Sequence, residues 1–254
     1  MKTLITFGCS FTDTDGEILF REFEVPKKYV EPHKSWSVEL ARLTNSDIVS
    51  RGKGGVGNYY ITNRIYETID TTKYNKNNSV VIVMWSGIDR VDIAVSRNEF
   101  YYFDKFNDNI KDSWLHSGGV KGFNNTKTKD KYWYNYYKSY HTEEDSYLQT
   151  LQHIIGVQEF LSNHKIPYMF LTYKDIFTDK HRKYKRAKNL ENQVNWDKFH
   201  FPDLWCGGEF GGEYEWVRDN NLTWKEDNIH PSPESHRKFA EYLNKLDKCR
   251  YLFK

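Results

Sequence analysis

Two short motifs near opposite ends of the chain carry side chains that together can do nucleophilic chemistry: Phe7-Gly8-Cys9-Ser10-Phe11-Thr12 and Asp227-Asn228-Ile229-His230-Pro231. A serine hydroxyl is a weak nucleophile until a neutral imidazole takes its proton, and the imidazolium that results is stabilised by a carboxylate. Ser10, His230 and Asp227 supply those three groups. Ser10 follows an apolar run, Leu4-Ile5-Thr6-Phe7, which reads as a buried first strand, and Gly8 marks a sharp turn of the backbone at its end. A serine at a strand end is presented to solvent. His230 precedes Pro231, which biases it away from helix, and it lies three residues after Asp227, so one loop can project both side chains. Either motif alone is an ordinary turn or cap. Their joint occurrence points to a nucleophilic hydrolase.

The elements that would position these groups follow from apolar patterning. Strands are expected at Leu4–Phe7, Asp47–Ser50, Val80–Met84 and about Pro167–Thr172, and helices near Ser35–Leu43, Tyr59–Asp70, Glu144–Asn163 and Pro233–Leu246. The alternation of strand and helix predicts an α/β fold with a doubly wound sheet, in which ligands bind outside the carboxyl ends of the strands. Ser10, the glycine-rich stretch Gly52-Lys53-Gly54-Gly55-Val56-Gly57-Asn58 and Asp89 all fall at such ends. A single domain over residues 1–254 is expected, with two insertions at about 97–140 and 177–224. Both are rich in aromatic residues, as in Tyr132-Trp133-Tyr134-Asn135-Tyr136-Tyr137. Such rings can stack on sugars or nucleobases, or pack the insertions onto the sheet, which is the plainer expectation.

With these residues in view, the chain resembles the SGNH hydrolases, also called GDSL esterases and lipases. Members open with a strand ending in Gly-Asp-Ser, matched here by Gly8-Cys9-Ser10 with Cys9 in place of the acid. They close with Asp-x-x-His-Pro and an amphipathic helix, matched by Asp227 to Pro231 and the helix that follows. The resemblance implies a flavodoxin-like three-layer αβα sandwich with a mainly parallel sheet. It implies a serine esterase in which Ser10 attacks, His230 is the base and Asp227 orients it. It also implies an oxyanion hole built from a backbone glycine after the second strand and an asparagine after the third. The glycine is placed at Gly55, with Gly54 and Gly57 as near alternatives, since N–H groups at a helix start suit a developing negative charge. At the second position the chain departs from the family. Trp85-Ser86-Gly87-Ile88-Asp89-Arg90 carries Asp89 where asparagine is usual, and an ionised carboxylate cannot donate, so the donor falls to a protonated Asp89, to Arg90 or to Ser86. Asn58, Gly87 and Arg90 complete the oxyanion and substrate-binding candidates.

The family's habits favour a small acyl ester, acetyl on a carbohydrate included, with no cofactor and no metal. An O-acyltransferase would use the same three residues, and a non-catalytic glycan-binding or virion structural protein on this fold is the reading that Asp89 favours. Other chemistries are less well supplied. Lys53-Gly54-Gly55-Val56-Gly57 begins like a phosphate-binding loop, but Asn58 and Tyr59 stand where its lysine and hydroxyl residue belong. His200, Asp203 and Cys206 have ligand chemistry without a fourth partner. Asp13-Thr14-Asp15-Gly16-Glu17 starts like a calcium loop and lacks the later ligands. His181 to Lys188 is basic and reads as a solvated helix face. The net charge of +2 calls for neither nucleic acid nor membrane as a partner, which leaves a small-molecule or glycan ester. Three cysteines, at positions 9, 206 and 249, have no framework spacing, and the first strand begins without a signal-type segment, so a cytoplasmic location is expected. The abundance of Asn, Lys and Tyr resembles chains from AT-rich viral or bacterial genomes and keeps virion association in view.

Overall fold

A computed structural model describes residues 1–13, 35–94, 114–117, 131–202 and 210–254. Along the chain, β1 (Thr3–Gly8) is followed by α1 (Trp36–Leu43), β2 (Asp47–Gly52), α2 (Asn58–Thr68), β3 (Ser79–Trp85), β4 (Val91–Ala94), β5 (Trp114–Ser117), α3 (Lys131–Ser139), α4 (Glu143–Asn163) and β6 (Tyr168–Thr172). Then come α5 (Asp179–Arg182), α6 (Lys188–Glu191), α7 (Glu213–Asp219), α8 (Pro233–Lys245) and α9 (Asp247–Leu252).

Four strands form one parallel sheet in the order β2-β1-β3-β6. Every residue of β3 and β6 is buried, as continuous apolar runs require when both faces of a parallel sheet are covered. Right-handed crossovers then fix the layers. The chain moves outward from β1 through α1 to β2, and returns across β1 through α2 to β3, so α1 and α2 must lie on opposite faces. The step from β3 to β6 runs in the same direction as the return, which places α4 on the face of α2. Packing agrees, with α1 against α8 and α2 against α4. The order reverses at β1, flanked by β2 and β3, which makes the carboxyl end of β1 the natural ligand crevice.

Helix starts follow local chemistry. Ser35 caps α1, Thr142 caps α4, and Ser232 caps α8 with Pro233 in its first turn. β4 and β5 pair as a separate antiparallel ribbon. Of the expected insertion at about 97–140, residues 97–113 and 118–130 lie outside the described residues. The segment at 177–224 packs onto the sheet: Phe199 bridges Phe170 of β6, and Phe177, Ala187, Val194 and Val217 are core residues. The basic run from His181 is solvated as expected at Arg182, Lys183, Lys185, Arg186 and Lys188, but it is not one helix. It breaks between α5, a 3-10 turn and α6. His181 is buried, with Nε2 2.7 Å from Glu143 Oε1 and Nδ1 3.0 Å from the Ile176 carbonyl, a pairing between distant segments that local sequence does not announce.

Candidate active site

Ser10 stands two residues beyond β1, in a turn closed by the Thr12 and Asp13 N–H groups donating to the Cys9 carbonyl at 2.9 and 3.0 Å. Two glycines make room for it. A Cβ on Gly8 would lie 2.2 Å from Thr12 Oγ1, and one on Gly52 would lie 2.5 Å from the Thr12 carbonyl carbon. The ends of β1 and β2 can therefore close on the turn only without side chains. From the α1 side, Ser35 Oγ donates to the Thr12 carbonyl at 3.2 Å.

The opposite motif arrives on the loop before α8. Trp224 and Pro231 form an antiparallel bridge, the Lys225 N–H donates to the His230 carbonyl at 2.8 Å, and Asn228 takes the left-handed conformation that closes the turn. Asp227 Oδ1 accepts from the N–H groups of Ile229 at 2.8 Å and His230 at 2.9 Å, while Oδ2 lies 2.5 Å from His230 Nδ1. His230 Nε2 then lies 2.8 Å from Ser10 Oγ. The Phe11 ring packs 5.6 Å from the imidazole and limits its swing. Hydrogen bonds from the His230 N–H and ring, and from the Ile229 N–H, hold the Asp227 carboxyl far below the usual aspartate range. An ionised Asp227 accepts the Nδ1 proton, so Nε2 presents its lone pair to the serine hydroxyl.

The loops after β2 and β3 form the other wall. Of the three glycines considered for the oxyanion, Gly54 gives its N–H to Asp13 Oδ2 at 2.9 Å and Gly57 gives its N–H to Asp92 Oδ1 at 2.8 Å. Gly55, at φ +78°, keeps its N–H without a partner among the described residues, and no atom lies within 4 Å of where its side chain would be. Gly54 borders Ser10, since a Cβ there would lie 3.9 Å from Ser10 Cβ.

Asn58 does not cap the helix with its side chain. The first turn of α2 starts at Asn58 itself, behind Gly57. Its amide is buried and spent on Ser86 and on Thr150 Oγ1, so it braces the β3 loop and has no donor left for a substrate. The Ser86 hydroxyl is likewise taken, donating to the Val56 carbonyl at 2.8 Å. Arg90 Nη1 donates to the same carbonyl at 3.1 Å, and its guanidinium lies 5.2 Å from the centre of the Tyr173 ring. Burial pulls Arg90 down, but Cys9, Tyr173, Asp89 and Asp92 around it outweigh that and hold it above its ordinary value. Arg90 is therefore a fixed cation beside the residue preceding Ser10. The Asp89 carboxylate folds back over Gly87, where a Cβ would lie 2.7 Å from Asp89 Oδ1 and 3.1 Å from the Tyr173 hydroxyl.

Two residues here have no motif to reveal them. Tyr173 follows β6, packs edge-on against Phe11 at 5.2 Å, and has its phenol pushed up by burial. Asp92 in β4 accepts from the Gly57 and Tyr60 N–H groups and lies 2.9 Å from His116 Nδ1, anchoring the start of α2 from outside. Of the ligand-type cluster, Asp203 and Cys206 lie outside the described residues, and His200 Nε2 lies 2.9 Å from the Tyr242 hydroxyl. Among the described residues no helix is long and apolar enough to cross a membrane.

A parallel sheet in the order 2-1-3-6, with the serine after its first strand and the Asp-x-x-His loop before the last long helix, is the arrangement of the SGNH-hydrolase fold. No protein-family model and no curated protein matches the sequence. Among solved structures, the chain is similar to a catalytic mutant of an acetylxylan esterase from Geobacillus stearothermophilus, with a TM-score of 0.51 and 14% identity over 98% of this chain and 94% of that one. The unmutated esterase gives 0.50 and 13% over the same shares. A protein of the G-D-S-L family from Desulfitobacterium hafniense DCB-2 gives 0.44 and 12% over 95% and 97%. The chain has the SGNH-hydrolase fold.

Proposed function

We propose that this protein is a serine ester hydrolase that removes a small acyl group, acetyl in the first instance, from a carbohydrate. The observation that carries this reading is the continuous relay from Ser10 Oγ through His230 to Asp227, at 2.8 and 2.5 Å, at the carboxyl end of β1. His230 Nε2 takes the Ser10 proton as Oγ attacks the ester carbonyl, and Asp227 stabilises the imidazolium. The tetrahedral oxyanion is held by the N–H groups of Ser10 and Gly55, with the Arg90 cation offsetting its charge where related enzymes have an asparagine donor. Collapse expels the sugar alcohol, which leaves with the proton from His230. Water, deprotonated by the same imidazole, then attacks the acyl-enzyme and releases the carboxylate.

The neighbouring fold of an acetylxylan esterase supports acetyl and carbohydrate as the substrate classes. The His230 side chain keeps 30% of its surface exposed, so water can reach it to complete hydrolysis. Intact-mass labelling with a small fluorophosphonate tests the nucleophile without a natural substrate. One label per chain, mapped to Ser10 and lost in Ser10→Ala and His230→Ala, is the expected result. Folded wild type that takes no label at raised pH and long exposure overturns the esterase reading.

A further inference from the structure

A cavity of about 290 Å³ opens between the first turn of α2, the start of β4, and helices α3 and α4. Its charged members are already engaged. Asp92 accepts from Gly57, Tyr60 and His116, and Arg90 is committed to the Val56 carbonyl and the Tyr173 ring. The groups left to meet a ligand are neutral. Gln149 and Gln152, one turn apart on α4, are exposed, and their amides have no partner among the described residues. His153 is held below its ordinary value by burial, against the pull of Asp92, and its ring stacks on Tyr59 at 5.6 Å and 30°. Tyr136 of α3 lines the same space.

Paired amide donors and acceptors beside aromatic faces suit a neutral polyhydroxyl ring. A phosphate or carboxylate would meet the Asp92 carboxylate as well as Arg90, so the described lining offers it no net positive charge. The volume lies just under the about 300 Å³ at which pockets for drug-sized ligands begin, which fits one sugar ring rather than an extended chain. Position ties the cavity to the reaction. Asn58, Ile88 and Arg90 line it, and they belong to the start of α2 and the loop after β3 that border the carboxyl end of β1.

We propose that this cavity is a glycan subsite: it holds a neutral sugar residue next to the one whose ester is presented to Ser10, with Gln149 and Gln152 reading hydroxyl groups and Tyr59 or Tyr136 offering a ring face. The assignment rests on the carbohydrate esterase reading and adds where the carrier is recognised.

The test is calorimetric titration of the full chain with xylotetraose, cellotetraose and mannotetraose, none of which carries an ester. At least one binds wild type and Ser10→Ala alike, and the Gln149→Ala/Gln152→Ala double variant binds it at least ten times more weakly. In the same variant, the ratio of kcat/KM for the acetylated form of that oligosaccharide to kcat/KM for p-nitrophenyl acetate falls by a similar factor. Absence of binding to wild type, or binding unchanged in the double variant, overturns the subsite. The two readings fail separately. Sugar binding lost in the double variant, from a chain that hydrolyses no ester, upholds the subsite and rejects the esterase. Hydrolysis of p-nitrophenyl acetate without sugar binding does the reverse.

Discussion

Asn58 and Ser86 exchange two hydrogen bonds across 28 residues of chain: the Ser86 N–H donates to Asn58 Oδ1 at 2.7 Å, and Asn58 Nδ2 donates back to the Ser86 carbonyl at 3.2 Å. The side-chain amide thereby pairs with the backbone at the point where β3 runs out of strand partners, and it ties the glycine loop to the loop carrying Asp89 and Arg90. Asn58→Ala leaves the buried Ser86 N–H without this acceptor, at a cost of about 1–3 kcal/mol. Urea unfolding should show a lower midpoint with an unchanged slope. A midpoint equal to that of wild type would mean that the loops hold their places without this brace.

The two adjacent glycines of the same loop should respond differently to alanine. A Cβ on Gly54 meets Asp13 Oδ2 at 3.6 Å and Ser10 Cβ at 3.9 Å, which are ordinary contacts, so Gly54→Ala should retain activity. Gly55 has open space but a φ of +78°, where an L side chain costs roughly 1–2 kcal/mol. Relieving that strain turns the uncommitted Gly55 N–H and should lower kcat by about tenfold. Asn tolerates this conformation better than Ala, so Gly55→Asn should recover part of the loss. Steady-state rates on p-nitrophenyl acetate decide the matter. Equal losses in the two alanine variants would remove Gly55 from the oxyanion role.

The central sheet is legible in the sequence because parallel strands buried on both faces are near-continuous apolar runs: Val80–Met84 is unbroken, and Leu4–Phe7 is interrupted only by Thr6, whose buried hydroxyl donates to Ser50 Oγ at 3.3 Å. In the structure each extends by one residue at either end. The meeting of Ser10, His230 and Asp227 is foreseeable from residue types and from the turn residues around them. The rest depends on segments that approach only in three dimensions. Tyr173 is one tyrosine among 19, and nothing near it in sequence marks it as the ring under Arg90. Asp92 anchors α2 from a ribbon whose strands are four residues each, too short to carry a pattern. Asn58 stands among the expected substrate-binding residues because it follows the glycine-rich loop, whereas tertiary hydrogen bonds claim its amide.

Asp227 should shape the rate without adding a step to its pH profile. Hydrogen bonds from His230 and Ile229 depress its carboxyl below the ordinary value of about 3.9, so it stays ionised well into the acid range. The logarithm of kcat/KM should therefore rise with a slope of one on the acid side, and a slope of two would show Asp227 titrating with His230. A depressed folded-state pKa stabilises the loop above the unfolded value, and that support is lost only as the pH falls below about 4. Asp227→Asn keeps the acceptor for the two backbone N–H groups and loses the charge. It should fold normally and lower kcat on the order of a thousand-fold or more, as in other triads.

Glu213 and His236 form a second carboxylate–imidazole pair, in the core between α7 and α8. Oε1 lies 2.7 Å from Nδ1, both side chains are at most 2% exposed, and Oε2 has no hydrogen-bond partner among the described residues. Burial pushes the Glu213 carboxyl up, and His236 only partly opposes it. The sign of the pH effect follows. A raised folded-state pKa contributes stability that is fully present below the unfolded value of about 4.3 and is lost as the pH rises through the folded one. Glu213→Gln retains an acceptor for His236 and cannot ionise. The unfolding free energy of wild type minus that of Glu213→Gln should therefore fall between about pH 4.5 and pH 8.0 in urea titrations. Because α8 begins directly after the His230 loop, this dependence belongs to the scaffold that carries His230. A difference that stays constant or grows with pH would mean that Glu213 is ionised at little cost, with His236 protonated beside it.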